Sequence, residues 1–201
     1  MQLTKQDILK AIKNLDEIPD KSEWKTTTSK IFKLGLLQYL DKKPKMSWVE
    51  VGAAQGHTTH ILACVAQEVL AIEIVEENCA KIRNFGHQNV SAVSLDLYGA
   101  HCSKFMAGQK FEAAIIDAQH KTDCVLKDIE NCKLSGVKLF VFDDYGAFEE
   151  VRIAVDSFIS ELLSKNINHQ VSFIGMPPGA YFPNTMFKVL QDWEGIIVEL
   201  M

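Results

Sequence analysis

Arginine is almost missing from this 201-residue chain: only Arg83 and Arg152 occur, and the formal net charge is -5. A surface that tracks phosphates needs clustered lysine and arginine, so general nucleic-acid binding is not expected. Long apolar runs are also missing. None approaches the roughly 20 residues of a membrane span, and the opening MQLTKQDILKAIKNLDEIPD mixes charged with apolar residues where a signal peptide would be continuously apolar. A cytoplasmic protein without a membrane partner is the expectation. The five cysteines, Cys64, Cys79, Cys102, Cys124 and Cys132, contain no C-x-x-C spacing, which suggests neither a disulfide framework nor a cysteine zinc site. Repeats and low-complexity runs are absent as well. What is present is ordinary: 47% hydrophobic and 23% charged residues suit one globular domain over 1–201, with N-terminal helices in 1–45 and the core in 46–201.

Residues 4 to 16 read as an amphipathic helix with Thr4 as N-cap and Ile8, Leu9, Ile12 and Leu15 on one side. Thr26 to Leu40 reads as a second, with Ile31, Leu34, Leu37 and Leu40 at helical spacing. From Met46 onward, the strand-length runs SWVEVGA, EVLAIEI, VSAVSLD, EAAIIDA and KLFVFDD alternate with segments long enough for one helix each. These begin near Gly56, Glu76, Gly99 and Thr122, and the last covers Phe148 to Lys165. Such alternation is the signature of a parallel sheet built from βαβ units. VSFIG, TMFKVLQD and GIIVEL follow with short connections, so they are expected to pair antiparallel at one sheet edge. The fold class is therefore α/β: a mostly parallel, seven-stranded, Rossmann-like sheet with helices on both faces and an antiparallel C-terminal edge.

In an open α/β sheet the ligand lies beyond the carboxyl ends of the strands. Here those ends are acidic: Glu50, Glu73, Asp96, Asp117 and the pair Asp143-Asp144 close five consecutive runs. A single such residue reads most simply as a solvated strand end; five in succession do not. The first run leads into Glu50-Val-Gly52-Ala-Ala-Gln-Gly56-His-Thr58-Thr59, a glycine-punctuated turn opening a helix. Glu73 stands 21 residues after Gly52, the spacing at which a carboxylate meets ribose hydroxyls. The glycines follow G-x-x-x-G and not G-x-G-x-x-G, and Glu50 would repel a pyrophosphate. A cationic ligand without phosphate is favoured, and a nicotinamide dehydrogenase is the weakest reading.

With Glu50, Gly52 and Gly56 in E/D-x-G-x-x-x-G, the sequence resembles the class I S-adenosylmethionine-dependent methyltransferases over about residues 24 to 200. The resemblance implies S-adenosylmethionine as cofactor, with Gly52 and Gly56 against its methionine and ribose part, Glu73 on the ribose and Asp96 near the adenine amino group. It extends the cofactor set to Glu50, Ala53, Thr58, Ile74, Leu97 and Asp117. The motifs I-I-D-A-Q-H at 115–120 and F-D-D-Y-G at 142–146 are similar to those of the small-molecule O-methyltransferase branch that uses a divalent metal. By that likeness Asp117, Asp143 and Asp144 are metal ligands, and His120 stands where the catechol enzymes carry a lysine base. Asp117 and His120 are the implied catalytic pair.

Three converging carboxylates repel one another unless a hard cation or protons neutralise them, and oxygen ligands suit Mg²⁺, or another hard divalent ion, over Zn²⁺. The chain departs from the catechol pattern, which has Asp-Asn where Asp143-Asp144 stands. The expected activity is O-methylation of a small-molecule hydroxyl. The alternatives are a metal-independent methyltransferase of nitrogen or of a macromolecule, disfavoured by the absence of [D/N]-P-P-[Y/F/W] after the fourth strand, and a non-catalytic cofactor-binding protein. His57-x-x-His60 has the spacing of half a metal site but no third ligand at a fitting distance in sequence, so it reads as exposed or packed, and His101 and Cys102 read as capping and packing residues. Trp24 and Lys25 read as packing ahead of the second helix, in a region that covers the cofactor or substrate in related enzymes. The loop from Gly175 to Asn184 is a turn, an acceptor-pocket segment or a homodimer contact.

Overall fold

The structure, a computed structural model, describes residues 1–21, 27–99, 101–182, 185 and 188–201. Trp24 and Lys25 lie outside the described residues. The order is α1 (Lys5–Glu17), α2 (Lys30–Leu40), β1 (Ser47–Val51), α3 (His57–Val65), β2 (Glu68–Glu73), α4 (Glu76–Asn84), β3 (Val90–Ser94), α5 (Cys102–Ala107), β4 (Ala113–Ile116), α6 (Thr122–Leu134), β5 (Leu139–Phe142), α7 (Glu149–Ser164), β6 (His169–Ile174) and β7 (Gly195–Leu200).

One seven-stranded sheet runs in the order β3-β2-β1-β4-β5-β7-β6. The first five strands are parallel, and β7 pairs antiparallel with both β5 and β6. Because the five parallel strands point one way, their carboxyl ends share one edge, and the strand order reverses between β1 and β4. That reversal opens a crevice in doubly wound sheets.

The central strands β1, β4 and β5 are buried on both faces, and their side chains alternate between two cores, as the period of two requires. Val49, Ala114, Phe140, Phe142 and Ile196 meet Val125 and Ile129 of α6 and Val151, Val155 and Phe158 of α7. Trp48, Ala113, Ile115, Leu139 and Val141 meet Phe32, Leu36 and Leu37 of α2, Leu15 of α1 and Ile61 of α3 on the other face. Phe140 and Phe142 are fully enclosed, a burial that contributes about 2 to 3 kcal/mol for each ring.

The termini differ from the sequence reading in three places. In α1 the Thr4 cap forms as expected, as a full capping box with Asp7. Its inward face is Ile8, Ala11, Asn14 and Leu15, whereas Leu9 is 64% exposed and Ile12 39% exposed. Helix α2 starts at Lys30, where the Ser29 hydroxyl accepts from the Phe32 amide. It buries Phe32, Lys33, Leu36, Leu37 and Leu40, while Ile31 and Leu34 face outward. Periodicity found both helices and half of each face, Ile8 and Leu15 in α1 and Leu37 and Leu40 in α2, while the other four expected residues turn outward, because a short helix with apolar residues on two sides offers two stripes. The described part of TMFKVLQD is not a strand: Lys188 makes only an isolated bridge to Tyr181. All five cysteines are free, four of them buried. Among the described residues, no helix is long and apolar enough to cross a membrane.

Candidate active site

A cavity of about 720 Å³ opens at the carboxyl edge where the strand order reverses. Gly52 forms its floor with φ +85°; a Cβ here would lie 2.3 Å from the Asp117 carbonyl oxygen and 2.5 Å from the Ala118 Cα. Only glycine lets the turn after β1 press against the turn after β4. Gly56 also adopts a positive φ, +81°, and its missing side chain leaves room for Ile82 of α4.

Glu73 ends β2 at the cavity wall. Its Oε2 accepts from the Ala54 amide and its Oε1 from the Val75 amide, each at 2.9 Å. Two backbone donors fix the carboxylate, and each oxygen keeps a lone pair for a further donor. Ile74, Asp96, Leu97 and Tyr98 continue that wall; the Asp96 Oδ1 accepts from the Tyr98 amide at 3.0 Å. The Tyr98 hydroxyl in turn donates to Asp128 of α6 at 3.2 Å.

Across the cavity stand Asp117, His120, Asp143 and Asp144. The F-D-D-Y-G turn is held from both sides. Tyr145 donates to Asp156 of α7, and Gly146 packs where a Cβ would strike the Asp192 and Trp193 carbonyls. Asp144 itself sits at φ +60°, a strained conformation that Asp tolerates better than most residues. The His120 Nε2 approaches Asp144 Oδ2 at 3.1 Å, and the imidazole stacks on Phe148 with centroids 4.2 Å apart.

The cation of the cluster is one that sequence reasoning missed. The Lys21 Nζ donates to Asp143 Oδ2 at 3.0 Å and to Asp144 Oδ1 at 2.7 Å, lies 4.0 Å from Glu194 and sits over the Phe182 ring. The Asp20 side chain accepts from the Lys21 and Lys30 amides, tying this segment to the start of α2. Burial raises the Asp117 carboxyl well above the ordinary carboxylate range, and the charges of Asp143 and Asp144 add to the rise. Burial and Asp144 likewise push Asp143 up to about 7. Burial would raise Asp144 too, but Lys21 and His120 outweigh it and hold that carboxyl at about 2. For Lys21, burial opposes the charge, yet Asp143 and Asp144 keep the ammonium well above its ordinary value.

A second polar layer lies under the floor. The Thr59 hydroxyl donates to Glu50, whose carboxyl burial raises to about 7. The fully buried Lys33 Nζ donates to the Thr27 and Thr28 hydroxyls and the Thr28 carbonyl, and burial lowers its pKa to about 8. Thr28 and Thr58 are joined through their hydroxyls at 3.3 Å.

No protein-family model matches the chain, and no curated protein matches it. Solved structures do. The tRNA (m1A58) methyltransferase TrmI from Aquifex aeolicus aligns with TM-score 0.60 at 16% identity, over 94% of this chain and 76% of that one. TomG from Streptomyces achromogenes, an O-methyltransferase involved in tomaymycin synthesis and solved with SAM, aligns with TM-score 0.57 at 16% identity, over 100% and 92%. An O-methyltransferase from Bacillus cereus, solved with SAH, gives 0.56 at 15% identity, over 98% and 91%. The fold is the class I methyltransferase fold.

Within this methyltransferase fold, Gly52, Glu73, Ile74, Asp96, Leu97, Asp117, His120, Asp143 and Asp144 all line the one cavity. Glu50, Ala53, Gly56 and Thr58 are not on its wall: Glu50 and Thr58 belong to the layer beneath, Ala53 is packed with Ile82, and Gly56 caps α3. His60 is paired with His87 at 2.7 Å beside Phe85, and Cys102 is buried against Asn131, both in packing roles. Sequence reasoning missed Lys21, Phe148 and Lys188 in the wall, whereas Phe182 belongs to the 175–184 loop, for which an acceptor-pocket segment was one of the readings. Lys21 is 122 residues from Asp143, and no local pattern marks it.

The cradle fits S-adenosylmethionine: a glycine floor where the backbone must be bare, an anchored carboxylate with free lone pairs and an acidic far wall suit a ribose and a sulfonium. The expected Mg²⁺ site fits poorly. Among the described residues, the donor atoms that converge within 4.8 Å of one another belong to Asp117, His120 and Asp144, so an imidazole replaces the third carboxylate, which disfavours Mg²⁺. Asp144 also already holds the Lys21 ammonium on its other oxygen. A divalent ion on the near oxygen would stand about 5 Å from that ammonium, a repulsion of several kcal/mol.

Proposed function

We propose that the chain is an S-adenosylmethionine-dependent methyltransferase acting on a hydroxyl of a small molecule. The observation that carries this reading is the bare Gly52 turn beside the backbone-anchored Glu73, on the same cavity as His120 and Asp144. Bound S-adenosylmethionine supplies an electrophilic methyl group, whose bond to sulfur breaks as a bond to the acceptor oxygen forms, leaving the thioether S-adenosylhomocysteine.

The chain's own residues do the rest. Gly52 and Glu73 fix the cofactor, so that acceptor and methyl group meet in line without a covalent enzyme intermediate. Asp144 Oδ2, 3.1 Å from the His120 Nε2, favours the proton on that nitrogen by its charge, which leaves Nδ1 as the basic nitrogen to take the hydroxyl proton. Phe148, stacked on the imidazole, limits its rotation and offers an apolar surface to the acceptor. No step is assigned to a metal.

The test is transfer of labelled methyl from S-adenosylmethionine to a panel of phenolic and aliphatic hydroxyl compounds, with His120→Asn beside the wild type. Transfer to a hydroxyl that His120→Asn lowers on the order of a hundredfold, with cofactor binding retained, supports the reading. Transfer only to nitrogen or to RNA or protein would favour a different methyltransferase. Cofactor binding without transfer to any acceptor would leave a binding protein.

A further inference from the structure

The sequence admitted two ways to keep Asp117, Asp143 and Asp144 together, a hard cation or protons. The fold supplies a third. Lys21 reaches in from the segment after α1 and places Nζ between Asp143 and Asp144, with side-chain exposure of 16% against 1% and 6% for the two acids. Its position is built. Asp20 accepts from the backbone amides of Lys21 and Lys30, the Phe182 ring lies 4.5 Å from Nζ, and Glu194 supplies a third carboxylate at 4.0 Å. Glu194 is itself fixed by the Ser29 amide and hydroxyl and by the Met176 amide. A half-buried ammonium with this many carboxylate neighbours is costly to remove, because its loss leaves buried carboxylates uncompensated.

We propose that Lys21 is a resident counter-ion that takes the place of a divalent metal, so that Asp143 and Asp144 are organised by the chain itself and bind no metal while Lys21 is present. The idea deepens the methyltransferase reading in one respect only, that of metal independence; its argument rests on the acids and the ammonium. One oxygen of Asp144 faces Lys21 and the other His120, so the ammonium also fixes the carboxylate that orients the imidazole. In this scheme Lys21 is a positioning residue.

The experiment is Mn²⁺ binding by the purified full chain, followed by electron paramagnetic resonance, for wild type, Lys21→Ala and the double variant Lys21→Ala/Asp143→Asn. The wild type is expected to show no saturable submillimolar site. Lys21→Ala is expected to gain one, on the order of a hundredfold tighter than any binding to wild type, since a cation that repelled the metal is gone. The double variant is expected to lose it. Saturable Mn²⁺ binding by wild type, abolished by Asp144→Asn, would overturn the proposal, and so would a folded Lys21→Ala protein that stays silent. Should Lys21→Ala fail to fold, Lys21→Gln, which keeps a donor without the charge, is read in the same way. A titration of the same wild-type sample with S-adenosylhomocysteine separates the two ideas: failure there removes the cofactor reading and leaves the Mn²⁺ comparison standing.

Discussion

Replacing Gly52 with alanine tests whether the crevice depends on a bare backbone. Two costs combine at this position. An L-residue held at φ +85° costs about 1 to 2 kcal/mol. The added Cβ would also lie 2.3 Å from one backbone atom and 2.5 Å from another, and forcing packed backbone apart costs about 1 to 3 kcal/mol more. Gly86→Ala is the internal control. Its φ is +73° with nothing within 4 Å of the added Cβ, so it carries the conformational cost alone, and both variants share the same effect on the unfolded chain. In urea unfolding, Gly86→Ala is therefore expected to lose about 1 to 2 kcal/mol and Gly52→Ala about 2 to 5. In thermal unfolding of a chain this size, the gap between them is roughly 2 to 12 °C. Only Gly52→Ala is expected to weaken S-adenosylhomocysteine binding, because only there does the turn after β1 move off the turn after β4. Equal stability and equal binding in the two variants would refute the close-approach argument.

Two further outcomes concern buried ionisable groups. Burial raises Asp128 to about 7 from 3.8, and its Oδ1 has no hydrogen-bond partner. The folded state therefore holds its proton longer than the unfolded one, so stability falls as pH rises from about 4 to 7, by at most about 4 kcal/mol. Asp128→Asn is expected to flatten that fall in urea unfolding at stepped pH; an unchanged slope would contradict the assignment. Lys33 is displaced in the opposite sense, to about 8 from 10.5 by burial, so the unfolded chain binds the extra proton between those values and stability gains up to about 3 kcal/mol as pH rises through them. Lys33→Met is expected to lose this alkaline gain relative to wild type, and a variant whose profile keeps it would show that Lys33 is not the cause.

Much of the parallel sheet was legible because each buried strand is a short apolar run that ends in an acid. The same rule put Glu73, Asp96, Asp117 and Asp143 at one edge before any distance was known, and the glycine pattern placed Gly52 in the turn that opens a helix after the first strand. Helix faces were less legible: α2 carries Ile31 and Leu34 beside Phe32, Lys33 and Leu36, and only the packing partner decides which stripe turns inward. A buried lysine is the least expected occupant of that stripe, since its burial depends on Thr27 and Thr28 just upstream. Lys21 escaped for a related reason. Its meaning comes from two acids 122 and 123 residues away, and charge pairing at that separation leaves no periodic trace. The missing Cβ at Gly146 and the anchoring of Glu73 by two amides are likewise products of tertiary contact that composition does not encode.

If the crevice between β1 and β4 holds the cofactor, calorimetric titration of wild type and Glu73→Ala with S-adenosylhomocysteine in EDTA will show it. One micromolar site is expected in the wild type, and a loss on the order of tenfold or more in Glu73→Ala, which has no carboxylate to accept from the ribose. No binding by the wild type, or equal binding by both proteins, would contradict it.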